Sequence, residues 1–131
     1  MASLVPNVGK AIISGRMFGS SPTQAEPHYL GWGTGAGAGA AASTDLSTPA
    51  TEARVSGTSS QFTTTNVNDT HQITGTITAN AAKTITNVAV FDAAGTGSPP
   101  SGGVLYAIFD GLSQALNNGD SIAFTARIQF T

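Results

Sequence analysis

Only two side chains in the 131-residue chain titrate near neutral pH, His28 and His71, and they set the first test for chemistry. Neither has a carboxylate or a second histidine at a local metal-ligand spacing, which argues against a zinc site. Cysteine is absent, so thiolate nucleophiles, thiolate metal sites and disulfide frameworks fall together. No Gly-x-Ser-x-Gly elbow and no Ser-x-x-Lys pair occurs, and a serine without a base or a strained turn has nothing to activate it. Asp69, Asp92, Asp110 and Asp120 are the candidates for paired carboxylates, but each adjoins turn signals and reads as a turn cap. Asn66, Asn68 and Asp69 begin like a calcium loop that lacks its sixth-position glycine and closing glutamate. Gly9-Lys10 has neither the preceding glycine nor the following hydroxyl of a phosphate loop.

The run from Gly31 to Ala42 places glycine at every odd position from 31 to 39. Glycine-rich turns let backbone amides approach phosphates, and the relaxed form of the dinucleotide fingerprint matches at Gly31, Gly33 and Gly35, with Glu52 near the spacing of a ribose-binding acid. Alternation alone produces such redundant matches, and no strand-turn-helix context surrounds them. No enzymatic activity and no cofactor is therefore expected. Lys+Arg 5 against Asp+Glu 7 gives a formal net charge of -2, too few cations for a phosphate backbone, so nucleic acid is not an expected partner. No membrane is expected either, because polar residues or glycine interrupt every apolar run before the roughly 20 residues that a spanning helix needs. Ala11-Ile12-Ile13, the longest apolar run before residue 19, is too short for a signal-peptide core.

Two unlike parts must position whatever the chain presents. Residues 1–49 hold four of the six prolines and the glycine tract, and they read as an extended N-terminal arm and Gly/Ala-rich loop. Such a tract stays mobile unless a surface holds it. That surface is either a neighbouring molecule in an assembly or the chain's own body. Residues 50–131 read as a small antiparallel β-sandwich of the jelly-roll or Ig-like Greek-key kind, all-β in class. Six short strands are expected, near 53–55, 61–65, 71–79, 85–91, 104–109 and 120–130. In the last, Ile122, Phe124, Ala126, Ile128 and Phe130 share one face, and Asn117-Asn118-Gly119-Asp120 supplies the turn before it. Ile85 to Phe91 has mixed parity, which implies a bulge or burial on both faces. Gly111 to Leu116 is the one helix candidate. His71, beside Gln72, is expected to face solvent.

Charged residues are only 9% of the chain, and serine plus threonine number 31. The surface is therefore expected to consist largely of hydroxyls, amides and small apolar groups. Against that background Phe18, His28, Tyr29, Leu30 and Trp32 crowd into fifteen residues. Half-polar aromatics supply large contact area at small entropic cost, so these five are the expected protein interface, the alternative being a cap on the end of the sandwich.

The blocks His28-Tyr29-Leu30-Gly31-Trp32-Gly33-Thr34-Gly35, Thr51-Glu52-Ala53-Arg54-Val55-Ser56-Gly57-Thr58, Ile85-Thr86-Asn87-Val88-Ala89-Val90-Phe91-Asp92 and Asn118-Gly119-Asp120-Ser121-Ile122-Ala123-Phe124 resemble small structural proteins of tailed bacteriophages. They are similar to β-sandwich proteins identified as head decoration (cement) proteins, and less often as tail or fibre components. The resemblance implies a virion protein on the outer surface of the capsid, commonly a homotrimer, whose partner is the major capsid protein and which ties neighbouring capsomers together. It brings no catalytic residues. A tail, collar or fibre-base subunit is the alternative, and a carbohydrate-binding module with Trp32 and Tyr29 as its platform is a third.

Overall fold

A computed structural model describes residues 2–18 and 24–131. In chain order the elements are β1 (Ala2–Leu4), α1 (Asn7–Met17), β2 (Tyr29–Gly33), β3 (Val55–Ser56), β4 (Thr58–Phe62), β5 (Thr70–Thr78), β6 (Lys83–Phe91), β7 (Leu105–Leu116) and β8 (Ser121–Gln129). They form a five-stranded sheet in the order β1-β7-β6-β2-β3 and a three-stranded sheet in the order β4-β5-β8, antiparallel throughout. The β6–β7 hairpin is nested inside the β5–β8 pair, so the chain changes sheets on either side of that hairpin.

Alternation builds the core between the sheets. Leu30, Trp32, Val88 and Val90 from the larger sheet meet Ile73, Ile77, Ala126 and Ile128 from the smaller one. Trp32 reaches across to Phe124 edge-on, with ring centroids 6.1 Å apart. The strands expected at 71–79, 85–91, 104–109 and 120–130 are present, whereas those expected at 53–55 and 61–65 are displaced to Val55–Ser56 and Thr58–Phe62. The mixed parity of Ile85 to Phe91 has both of its causes: β6 is buried on two faces, and its register with β7 shifts between Ile85 and Asn87. At the turn before β8, Gly119 takes φ 90 and the Asp120 carboxylate accepts the Asn117 amide at 2.8 Å.

Three expectations are corrected. The Gly111–Leu116 helix candidate is the second half of β7, paired with Lys83, Thr84 and Ile85. Six residues are too few to hold a helix without tertiary support, and the β6 edge supplies a ladder instead. The only helix among the described residues is α1, which the sequence hides behind Gly9, Ser14 and Gly15. Its buried residues are Gly9 and Ile12, so packing against β7, rather than helix propensity, holds it in place.

The third correction concerns residues 1–49, which are built into the sandwich rather than extended from it as an arm. β2 lies inside the larger sheet between β6 and β3, and β1 forms its edge on β7. Between β2 and β3 the Gly/Ala tract folds back over the outer face of its own sheet. Thr34 and Gly35 amides donate to Thr48 and Ser47 carbonyls at 3.0 Å. The fully buried Asn87 amide donates to the Gly35 and Ser47 carbonyls at 3.2 Å. The alternating glycines follow from this approach. A Cβ at Gly33 would stand 2.6 Å from the Ser47 carbonyl oxygen, and one at Gly35 would stand 2.7 Å from the same atom. Of the two surfaces that could hold the tract, the chain's own body does so.

Candidate functional site

The five residues expected at an interface do not form one patch. Phe18 follows the end of α1 and is 80% exposed, as is Met17 beside it. His28 and Tyr29 are half-buried and stacked on each other, with centroids 4.4 Å apart, and His28 Nδ1–H donates to the Glu26 carbonyl at 2.9 Å. Leu30 and Trp32 are core residues, which corrects their assignment to an interface. β2 points both side chains between the sheets, leaving them 0% and 2% exposed. The Trp32 indole N–H donates to Glu52 Oε2 at 3.0 Å, while Glu52 Oε1 accepts from the Asn80 amide and the Lys83 ammonium. Burial alone would raise the Glu52 carboxyl, but those three donors outweigh it and hold the group below its ordinary range. A buried Trp32 also removes the sugar platform expected of Trp32 with Tyr29.

What the fold does expose as one continuous surface is the outer face of the three-stranded sheet. Register aligns Thr58 with Thr74 and Thr125, and Ser60 with Gln72 and Arg127. The inward positions Ile73, Ile77, Ala126 and Ile128 leave Thr76, Thr78, Ser121 and Ala123 outward as well. Arg127 is the single charge on these outward positions. It donates from Nε to Gln72 Oε1 at 2.7 Å, and its guanidinium lies 3.8 Å over the Phe62 ring.

A second feature is a cleft between α1 and β4, floored by His71. The expectation that His71 faces solvent is corrected: it shares parity with Ile73 and Ile77 and turns inward under α1. That signal is already in the alternation of β5. His71 Nε2 is 2.8 Å from Ser59 Oγ and Nδ1 is 3.3 Å from Tyr106 Oη. Tyr106 is 2% exposed, and burial pushes its phenol up to about 12. It therefore keeps its proton, and neutral His71 bridges the two hydroxyls, donating through one ring nitrogen and accepting through the other. Ile12, Ile13, Arg16, Glu26 and Phe130 complete the cleft. Sequence reasoning missed Ser59 and Tyr106, because β4 and β7 bring them to His71 from 12 and 35 residues away.

Burial lowers the His71 pKa, with Glu26 opposing and Arg16 assisting. The folded state thus resists a proton that the unfolded chain accepts near pH 6.5. Stability contributed by neutral His71 is full above that value and falls as the pH drops through it. Protonation would also make both ring nitrogens donors, so whichever hydroxyl donates to the neutral ring must turn its hydrogen away. Urea unfolding is therefore expected to show a lower midpoint at pH 5 than at pH 7.5, with the difference reduced in His71→Gln. An equal difference in the variant would contradict this assignment.

No group of three or more His, Asp or Glu side chains among the described residues could hold a metal ion, and no described helix is long and apolar enough to cross a membrane. No family model, curated protein or solved structure matches the chain.

Proposed function

We propose that the protein is a head decoration, or cement, protein of a tailed bacteriophage, acting as a homotrimer on the outer surface of the capsid and bound there to the major capsid protein. The sequence blocks quoted above motivate this reading, and the observation that carries it onto the structure is the hydroxyl-rich, nearly uncharged outer face of the β4-β5-β8 sheet. Threonine is stiff at χ1. A face of Thr58, Thr74, Thr76, Thr78 and Thr125 therefore loses little side-chain freedom when a broad protein surface settles on it. The face offers hydroxyls to a partner's backbone and side chains, and a single guanidinium is too little charge to select a polyanion. Three such faces in a trimer would engage several capsid subunits at once, so that modest contacts add through effective concentration. Because a ligand stabilises whichever state it binds, selectivity for the expanded lattice would strengthen that lattice against internal pressure.

Co-sedimentation with empty phage shells tests the proposal. The purified chain is expected to pellet with expanded shells and to remain in solution with unexpanded ones. Equal recovery with both, or recovery with neither, would overturn it.

A further inference from the structure

The cleft under α1 has a volume of about 490 Å³, inside the roughly 300–1,000 Å³ range of small-molecule sites. Its floor is polar. The Ser59 hydroxyl, 2.8 Å from His71 Nε2, keeps hydrogen-bonding capacity toward the cleft, and the Gln61 amide at the rim both donates and accepts. Its mouth is apolar on one side, where the Phe130 ring is 48% exposed beyond the end of β8. The two charged residues that line it, Arg16 and Glu26, are of opposite sign.

Each feature removes a class of ligand. A phosphate or carboxylate calls for surplus positive charge, and here the charges cancel. A purely apolar ligand would strip water from the Ser59 hydroxyl and the Gln61 amide and return no hydrogen bond, which is costly. A ligand satisfying the whole cleft carries hydroxyls that donate and accept, together with a flat face of C–H groups to lie on the ring. We infer that this cleft is a binding site for a neutral pyranose sugar, free or at the end of a glycan, with Phe130 as the stacking surface and Ser59, Gln61, Arg16 and Glu26 as hydrogen-bonding partners. The site is remote in kind from the threonine face, since it recognises a small molecule in a concavity. Shell binding can fail while sugar binding holds, and the reverse.

The full-length ¹⁵N-labelled chain is titrated with glucose, galactose, mannose and N-acetylglucosamine, and with their methyl glycosides, to tens of millimolar. Inorganic phosphate and acetate are titrated in parallel. The expected result is saturable shifts at Ser59, Gln61, His71 and Phe130 for at least one sugar. Response to the methyl glycoside as well as the free sugar assigns the site to a glycan end, and response to the free sugar alone assigns it to a monosaccharide. Phe130→Ala is expected to weaken binding by about tenfold, and Gln61→Ala to weaken it in the same direction. Both residues are exposed enough for the remaining spectrum to stay in place. Absence of saturable shifts from every sugar, affinity unchanged in both variants, or stronger shifts from phosphate or acetate at these residues would overturn the inference.

Discussion

Trp32→Ala is expected to remove about 3–5 kcal/mol of folding stability, the cost typical of truncating a buried aromatic. That is a large part of the roughly 5–15 kcal/mol that holds a domain together. Three losses combine. The indole leaves a cavity between the sheets where it now meets Phe124. Its N–H no longer reaches Glu52, a carboxylate that Lys83 and the Asn80 amide also bind, so one oxygen of a half-buried acid loses its donor. And β2, an interior strand, loses one of the two side chains that anchor it to the opposite sheet. Urea unfolding followed by circular dichroism measures the effect. If the variant unfolds at the wild-type midpoint yet no longer binds shells, Trp32 is a docking anchor and its place in the core is refuted.

Gly9→Ala is expected to destabilise the chain by about 1–3 kcal/mol, against the sign that helix propensity gives. Within an exposed helix the substitution would gain roughly 1 kcal/mol. Here the added methyl would stand 2.1 Å from the carbonyl oxygen of Tyr106, a backbone atom of β7 that cannot move without disturbing the β6 and β1 ladders. The helix must lift instead, at the cost typical of overpacking. Because α1 roofs the cleft and Tyr106 hydrogen-bonds His71, the histidine resonances should shift along with the unfolding midpoint. A gain in stability with unmoved histidine signals would show that α1 sits differently on the sheet.

The sandwich is legible in the sequence wherever alternation is strong. β8 carries Ile122, Phe124, Ala126 and Ile128 toward the core as its period-two pattern demands, and β5 does the same with Ile73 and Ile77. The first 49 residues are less legible because glycine has two opposite meanings. It marks slack chain, and it also marks a place where two backbones touch. Nothing local distinguishes the two, since the atoms excluding a Cβ at Gly33 and Gly35 belong to Ser47 and Asn87. α1 is hidden for a related reason, as its glycine is a contact with β7 that only tertiary structure reveals. The aromatic cluster reads as surface when taken by composition and as core when taken by parity: Leu30 and Trp32 alternate with Gly31 and Gly33, which is a strand with one crowded face. His71 was open to the same reading, being in step with Ile73 and Ile77.

The pairing of Ala2 with Asp110 and of Leu4 with Ile108 joins β1 to a strand that is synthesised only after all of β2 to β6. A ribosome must release the segment through β7 before that edge can close, and β2 likewise waits for β6. Contacts this distant in sequence make folding slow relative to helical proteins of similar size. Translation therefore leaves the apolar strand Tyr29–Gly33 uncovered until β6 has been made, and an N-terminal fragment ending before residue 83 has no partner strand from β6 or β7 on which to assemble.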